Sequence, residues 1–318
     1  MKKRMLAVMT AAVMAMSALT GCGSGGSKTV NIGVIQLTEH PALDAAYQGF
    51  VDGLSEAGYK DGENIKINFN NAQGDQSNCT TIAQKLVNDK SDLILAIATP
   101  AAQACAAQTT EIPILITAVT DPETSGLVES NKAPGGNVTG TSDLTPVAEQ
   151  MKLLTQLLPE AKTVGILYCS AEDNSIFQAN IAKDEATKAG LSYVEATVSN
   201  TNEIMSVVES LVGKVDVIYA PTDNMIAEGM AAVSSVATEN GIPCIVGEEG
   251  MVTNGGLATY GLDYYNLGKQ TAAMAVSVLK GEKKPAEMPI EYLTDCTLTI
   301  NEEVAKTLNI EIPAELAK

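Results

Sequence analysis

The sequence predicts an α/β protein with two doubly wound lobes, each built on a parallel sheet, that are joined by a hinge. Continuous apolar strands alternate with amphipathic helices along the chain, which is typical of parallel sheets covered on both faces. The same order of strands and helices occurs twice. The last third has too few strands for a third sheet, so we expect its elements to complete the first two.

The first half contains four predicted strands separated by helices. From Leu43 to Ala57 apolar residues recur at helical spacing, and Gly58 ends the helix. The predicted strands span residues 30–37, 65–69, 93–98 and 113–119, and the helices span 43–57, 82–87 and 100–109; a turn-rich run at 133–137 then leads into residues 138–141.

The second half repeats this pattern. Residues 92–113 contain an aspartate, an apolar strand, a Thr-Pro pair, a helix and an Ile-Pro pair, and residues 216–243 contain a similar series. The predicted helices span 147–158, 176–189, 204–211 and 225–240, and the strands span 164–168, 191–198, 215–220 and 243–247. The sequence therefore predicts a duplicated unit.

The remaining residues are expected to cross between the lobes. A strand at 257–262, a helix at 265–279, strands at 289–292 and 298–300 and a final helix are predicted. Lobe 1 would comprise residues 29–141 plus about 262–292, and lobe 2 residues 142–261 plus about 293–318. Several crossings of this kind would form the hinge.

The N-terminus has the form of an export signal. Residues 2–4 are basic, residues 5–16 are apolar apart from Thr10, and residues 19–22 read Leu-Thr-Gly-Cys, which resembles a bacterial lipobox. An ordinary signal peptide or a short membrane anchor is the alternative, but the apolar stretch is shorter than the ~20 residues of a spanning helix. We therefore expect a signal peptide at 1–21, lipidation of Cys22, a flexible tether at 22–28, and an extracytoplasmic protein that is lipid-anchored to the bacterial cell membrane.

The chain is strongly acidic. Its formal net charge is −18, and removal of the leader, which carries three basic residues and no acidic ones, gives 17 − 38 = −21. Such a surface repels nucleic acids and anionic lipids, so we expect no nucleic-acid partner and no membrane contact beyond the lipid anchor.

Few residues are available for catalysis or for binding a metal. Arg4 is the only arginine, so a bound anion would depend on helix N-termini, backbone amides, hydroxyl groups or a lysine. His40 is the only histidine, which disfavours a histidine metal site and a histidine-dependent triad. No cofactor, metal site or enzymatic activity is predicted.

Five cysteines follow Cys22, and none has the CxxC spacing of zinc or redox motifs. They are Cys79, Cys105, Cys169, Cys244 and Cys296. A bond between Cys79 and Cys105 and a set of buried free thiols are both compatible with the sequence.

Polar residues at the predicted strand ends define a candidate ligand site, because ligands of open α/β sheets lie beyond the carboxyl ends of the strands. The candidate ligand-binding residues are His40, Thr99, Ala101, Ala102, Asp121, Ser142, Asp143, Asn174, Asp223, Glu248 and Tyr260. Tyr260, like Tyr168 and Tyr264, could stack on a ligand or pack in the core.

Two groups of these residues suggest how the carboxylate and the ammonium group of a zwitterion would be held. Thr99 is a possible N-cap, and the amides of Ala101 and Ala102 would then face a ligand carboxylate; a plain capping motif is the alternative. Asp223 could pair with a ligand ammonium group or cap its helix. In the second case the ammonium partner would be Asp121, Asp143 or Glu248.

Seven segments resemble the substrate-binding lipoproteins of ABC transporters in the tryptophan/tyrosine-type uptake family. They are residues 39–44 (EHPALD), 71–75 (NAQGD), 99–103 (TPAAQ), 119–122 (VTDP), 136–140 (GNVTG), 221–224 (PTDN) and 263–268 (DYYNLG). The resemblance implies the type I periplasmic-binding-protein fold, shared with leucine/isoleucine/valine-binding proteins, and an amino acid ligand between the lobes, with aromatic amino acids as the favoured class. It further implies a permease and its ATPase as partners, and we expect the protein to be a monomer.

Four alternative functions can be weighed against the capture of an amino acid for transport. A sensor of the same fold would present the liganded form to a receptor, and an importer component could bind an aliphatic amino acid or another small metabolite. A cell-surface enzyme is disfavoured by the single histidine. A DNA-bound repressor with similar lobes is excluded by the lipobox and by the absence of a basic head.

Overall fold

The computed structural model describes residues 29–317. The predicted signal peptide, Cys22 and the tether lie outside the described residues. Two lobes are present, each built on one six-stranded sheet with helices on both faces, which confirms the predicted α/β class. None of the helices within residues 29–317 combines the length and the apolar character that a bilayer span requires.

The sheet of lobe 1 is parallel throughout. It contains β1 (Val30–Gln36), β2 (Ile65–Asn71), β3 (Leu93–Ile97), β4 (Ile114–Val119), β5 (Val138–Ser142) and, from late in the chain, β11 (Glu291–Tyr292). The strand order is β11-β5-β4-β3-β1-β2. β3 and β4 are buried along their full length, as expected for central strands covered by helices on both faces.

The sheet of lobe 2 repeats this order. It contains β6 (Thr163–Cys169), β7 (Ser192–Val198), β8 (Val217–Ala220), β9 (Cys244–Val246), β10 (Ala258–Gly261) and β12 (Thr297–Ile300). The order β12-β10-β9-β8-β6-β7 matches that of lobe 1 position by position, which confirms the duplication. Only β12 runs antiparallel to its neighbour.

Four helices belong to lobe 1 and seven to lobe 2 among the described residues. Those of lobe 1 are α1 (Pro41–Glu56), α2 (Gln76–Asn88), α3 (Thr99–Ala106) and α10 (Tyr264–Leu279). Those of lobe 2 are α4 (Val147–Leu157), α5 (Asp173–Lys188), α6 (Ile204–Leu211), α7 (Asn224–Glu228), α8 (Met230–Glu239), α9 (Glu249–Thr253) and α11 (Glu302–Thr307). The chain crosses between the lobes after β5, after β10 and after β11.

α1 and α10 pack with their backbones in direct contact, which fixes the returning segment to lobe 1. A Cβ atom at Gly49 would lie 2.0 Å from the carbonyl oxygen of Tyr265, and one at Gly268 would lie 2.0 Å from that of Ala46. Only glycine permits this approach. On its inner face α1 also buries Phe50 completely, a contribution of about 1.5–3 kcal/mol.

Two helix predictions differ from the structure in their extent, and one helix was missed. α2 begins at Gln76 rather than at residue 82, because the side chain of Asp75 caps the Asn78 amide and its first turn is polar. The helix predicted at 225–240 is broken at Gly229, where a Cβ would lie 2.2 Å from the side chain of Ile204. The short helix α9 was not predicted, because its start signal, the Glu248 carboxylate, is an uncommon cap.

The five cysteines of the described residues are free thiols. Cys79 and Cys105 are both buried, and burial raises the pKa of each thiol to about 12. The alternative of unpaired buried thiols therefore describes this structure, and a bond between these two residues is not formed.

Candidate functional site

A cavity lies between the two lobes, beyond the carboxyl ends of both sheets. Lobe 1 contributes His40, Leu43, Ala118, Thr120 and Tyr264, and lobe 2 contributes Asn174, Thr222, Asp223, Asn224, Ala227 and Glu248. Asp143 joins the wall from the crossing that follows β5. The cavity volume is about 10 Å³, the room that one water molecule needs. The lobes are therefore closed on each other.

The lobe 1 wall is formed where strands end. His40 precedes α1, and its side chain is buried against the other lobe. Ala118 lies at an irregularity in the pairing of β4 with β5 and has a φ of 54°, a conformation that is costly for a residue other than glycine. Strain of this kind concentrates at functional sites.

A hydrogen-bond network fixes the polar groups of this wall. Asp143 accepts hydrogen bonds on both carboxylate oxygens, from the Thr120 hydroxyl at 3.2 Å and from the Tyr264 hydroxyl at 2.8 Å. The Ser142 hydroxyl donates to the Thr120 carbonyl at 2.7 Å. α10, which returns from lobe 2, is thereby tied to the strand ends of lobe 1.

On the lobe 2 side, two carboxylates cap short helices. Asp223 precedes α7 and accepts from the amides of Ile226 at 2.9 Å and Cys169 at 2.5 Å. Glu248 precedes α9 and accepts from the amides of Met251 at 2.9 Å and Gly250 at 2.5 Å. These bonds hold both side chains rigidly at the wall of the cavity.

A further carboxyl group, that of Glu172, lies behind this wall. Its Oε2 accepts hydrogen bonds from the side-chain amides of Asn224 at 2.5 Å and Asn174 at 3.3 Å, and both asparagines line the cavity. Its Oε1 is buried without a hydrogen-bond partner. Glu172 is 2% exposed.

The site brings several carboxyl groups close together where they are buried from solvent. Burial raises the pKa of Glu172 to about 8, with the charge of Asp223 as a second cause, and raises that of Glu248 to about 7. Burial also raises the pKa values of Asp143 and Asp223, and lowers that of His40 to about 4. Among residues 29–317 no lysine or arginine is buried. Such a site favours a ligand that brings its own positive charge.

Five side-chain hydrogen bonds join the lobes around the cavity. They are Thr38 to Glu228 (2.6 Å), Gln103 to Asp173 (2.7 Å), Gln76 to the Ala171 carbonyl (2.8 Å), His40 to Asn224 (3.3 Å) and Gln178 to Thr120 (3.4 Å). Each connects a residue of lobe 1 with a residue of lobe 2, so each exists only while the lobes are closed.

The structure brings five of the candidate residues to the cavity: His40, Asp143, Asn174, Asp223 and Glu248. The other candidates, Thr99, Ala101, Ala102, Asp121, Ser142 and Tyr260, do not form its wall in this closed arrangement.

The candidates outside the wall have other contacts. The Asp121 carboxylate accepts from the Asn131 side chain at 2.8 Å, and Tyr260 is half-buried on β10. Tyr168 donates to Glu195, whereas Tyr264 reaches the cavity.

The expected N-cap at Thr99 was wrong. α3 begins at Thr99, and its N-cap is Ala98, which has φ 81° and ψ 154° and no capping side chain. The Ala102 amide donates to the Ala98 carbonyl at 3.1 Å, so it is engaged within the helix and does not face the cavity. The Thr99 hydroxyl is buried without a partner. The early helix start follows from this strained turn, which no residue type in the segment signals.

Sequence reasoning missed Glu172. It follows the end of β6 directly before α5, in the same place that Asp223 takes after β8, and this correspondence was the available signal. It was hidden because acidic residues are abundant in this chain, and only the fold separates a buried carboxyl from a solvated one.

Comparison with known proteins connects this architecture to a family. A family model described as "ABC transporter substrate binding protein" matches residues 31–318. The tyrosine-binding protein of Clostridioides difficile (strain R20291) is 45% identical over 97% of this chain and 93% of that protein.

Two solved structures are similar and differ in their state. One is an ABC domain in complex with L-Trp from Streptococcus pneumonia, 44% identical, with a TM-score of 0.88 over 91% of this chain and 97% of that one. The other is the ligand-free, open structure of a substrate-binding protein with adhesive properties from Clostridium difficile. It is 47% identical, with a TM-score of 0.68 over 90% of this chain and 96% of that one. At nearly equal identity, the score is lower against the structure described as open.

Proposed function

This chain belongs to the family of ABC transporter substrate-binding proteins, and we propose that it captures an aromatic amino acid outside the cytoplasm and delivers it to a permease. The observation that carries the proposal is the closed arrangement of the lobes on a polar cavity, which resembles that of the L-Trp complex more than that of an open structure. The tyrosine-binding relative supports the same ligand class.

The proposed mechanism is a shift in population between open and closed lobes. Ligand enters the open form, contacts both walls, and the five bonds between the lobes then form. A ligand can drive this shift only by the difference between its affinities for the two forms, so the contacts unique to the closed form set the affinity. The closed form would be the one recognised by the permease, which works with a separate ATPase.

The proposed site consists of the five candidates that line the cavity: His40, Asp143, Asn174, Asp223 and Glu248. Thr99 is added from lobe 1, because its buried hydroxyl group has no hydrogen-bond partner. For the lobes we propose residues 29–141 with about 262–292, and residues 142–261 with about 293–318. The protein acts without catalysis.

The proposed location is the outer face of the bacterial cell membrane. The lipobox-like segment at 19–22 supports export and lipidation of Cys22, and the small residues that follow it would form a flexible tether. The proposed protein is a monomer that touches the membrane through its lipid alone, in keeping with its acidic surface.

A thermal-shift screen of the twenty amino acids tests the ligand class. Tyrosine, tryptophan or phenylalanine should raise the melting temperature most, because a ligand at a hundred times its dissociation constant adds ~2.7 kcal/mol of stability. Titration calorimetry should then give one site per chain. A larger shift with leucine, or with a phosphorylated metabolite, and none with an aromatic amino acid would refute the proposal.

A further inference from the structure

The four buried carboxyl groups around the cavity differ in how many of their oxygens are already engaged. Asp143 receives one hydrogen bond on each oxygen, from two hydroxyl groups. Asp223 and Glu248 receive one on each oxygen from backbone amides. Glu172 differs, because its buried Oε1 has no hydrogen-bond partner, although the Met225 amide lies close enough to lower the pKa of the carboxyl group. A buried, unengaged carboxylate oxygen is costly unless a donor or a cation reaches it.

Two residues of the cavity wall are joined to Glu172 by hydrogen bonds, Asn174 directly and His40 through Asn224. Each carries a buried atom without a partner: Oδ1 of Asn174 and Nδ1 of His40. The role of Nδ1 follows from the hydrogen bonds. Oε2 of Glu172 accepts from the side-chain amides of both Asn224 and Asn174, so Asn224 presents its Nδ2 to Glu172 and its Oδ1 to His40 Nε2, 3.3 Å away. Nε2 must then carry the proton of the neutral imidazole, which leaves Nδ1 as an acceptor.

A primary ammonium group carries three N–H donors and one positive charge, which matches three unpartnered acceptors, one of them anionic. We propose that Glu172 receives the ammonium group of the bound amino acid, with Asn174 Oδ1 and His40 Nδ1 as the neighbouring acceptors. The assignment rests on the proposed function and specifies which carboxyl group recognises the ligand. Glu172 and Asn174 belong to lobe 2 and His40 to lobe 1, so the ammonium group would bridge the lobes.

The groups around Glu172 give it no other counterion. Asp223 faces it from the β8–α7 turn, Cys169 from the end of β6 and Cys79 from α2, and both thiols are neutral because their pKa values are raised to about 12. His40, reached through Asn224, is neutral as well. Burial and the charge of Asp223 raise the pKa of Glu172, which favours the protonated form of its carboxyl group in the unliganded protein. An arriving ammonium group stabilises the carboxylate, so Glu172 becomes an anionic acceptor on binding and up to one proton should be released.

The test combines Glu172→Gln with a change in the ligand. Affinity for the best aromatic amino acid, measured by titration calorimetry, should fall roughly 30- to 5,000-fold, as for other desolvated charge pairs that lose one partner. Affinity for the corresponding desamino acid, 3-(4-hydroxyphenyl)propanoate or 3-(indol-3-yl)propanoate, should stay within threefold of wild type. Glu209→Gln, the same change at an exposed position on α6, should affect neither ligand.

Wild-type protein provides a second readout. Calorimetry at pH 7 in phosphate and in Tris should differ in apparent enthalpy by the amount that proton release predicts, and Glu172→Gln should abolish that difference. The variant should fold, because it removes a buried ionisable group without changing its shape, and thermal denaturation checks this.

The possible outcomes separate the two proposals. If wild type binds an aromatic amino acid but Glu172→Gln binds it within threefold, or releases the same number of protons, the assignment to Glu172 is wrong and the proposed function stands. If the variant loses the desamino ligand equally, Glu172 has only a structural role. If wild type binds no amino acid, the proposed function and this assignment both fail.

Discussion

The hydrogen bonds between the lobes predict that affinity can be changed without touching the ligand. Thr38 follows β1 and is 2% exposed, and its hydroxyl donates to the Glu228 carboxylate of α7 at 2.6 Å. Neither residue lines the cavity. When the lobes separate, hydroxyl and carboxylate return to water, so this bond stabilises the closed form alone. Thr38→Val removes the hydroxyl and preserves the shape of the side chain.

The loss of binding free energy expected for Thr38→Val depends on how far the Glu228 carboxylate is exposed to solvent. A hydrogen bond to a charged group contributes about 1.5–3 kcal/mol when it is shielded. Glu228 is exposed, so solvent screening reduces the contribution to about 0.5–1.5 kcal/mol. The free energy of ligand binding should fall by the same amount as the stability of the closed complex, so the dissociation constant should rise roughly 2- to 12-fold.

Calorimetry and stopped-flow fluorescence measure this change. The bond forms only after the ligand has entered, so the dissociation rate should rise by the same factor while the association rate stays unchanged. Thr187→Val is the matched control, because the Thr187 hydroxyl donates to the Lys183 carbonyl of its own helix on the exposed face of α5. That variant should bind like wild type.

Two results would refute the reasoning. Equal affinities for Thr38→Val and Thr187→Val would mean that the bond from Thr38 to Glu228 does not distinguish the closed form. A slower association rate with an unchanged dissociation rate would mean that Thr38 acts on the open form instead.

Three further predictions concern other parts of the chain. Cys22→Ser should release the protein from the membrane fraction with ligand affinity unchanged, and continued membrane association would contradict lipidation. Gly268→Ala should lower the melting temperature despite its better helix propensity, because the new Cβ meets the Ala46 carbonyl at 2.0 Å and overpacking costs about 1–3 kcal/mol; an unchanged melting temperature would contradict this. Unliganded stability should fall as pH rises from 6.5 to about 8, because folded Glu172 and Glu248 keep protons that the unfolded chain, with a pKa of 4.5 for each, has lost. His40, whose pKa is lowered to about 4, contributes an opposite slope only below pH 6.5. Denaturation of Glu172→Gln should show a flatter upper limb, with the slope from Glu248 retained, and an unchanged limb would contradict this.

The order of strands and helices could be predicted because each of these elements has a characteristic pattern of apolar residues in the sequence. The buried strands β3 and β4 are apolar along their full length, and the stripe of apolar residues on α1 has helical spacing. Helix starts were predicted less well. α2 and α9 begin at polar turns whose caps, Asp75 and Glu248, look like ordinary surface acids in the sequence.

The strained turn before α3 could not be predicted for a different reason. Ala98 takes a φ of 81° only because the end of β3 is held in the sheet, where its amide donates to the Thr117 carbonyl at 3.1 Å. Nothing about an alanine signals that conformation, since tertiary contacts impose it. The expectation that Thr99 caps the helix therefore failed where the global fold overrides local preference.

The position of the candidate site could be predicted from the sequence, but the hydrogen bonds of its carboxyl groups could not. Placing polar residues at strand ends correctly selected Asp143, Asp223 and Glu248 for the cavity wall, because the topology of parallel sheets fixes that edge. Choosing among the carboxyl groups requires a count of hydrogen bonds, which depends on partners far away in sequence. The amide that occupies Asp223 Oδ2 comes from Cys169, 54 residues earlier. Only a count of hydrogen bonds distinguishes Glu172, which has one oxygen without a partner, from carboxylates whose two oxygens both accept hydrogen bonds within the protein.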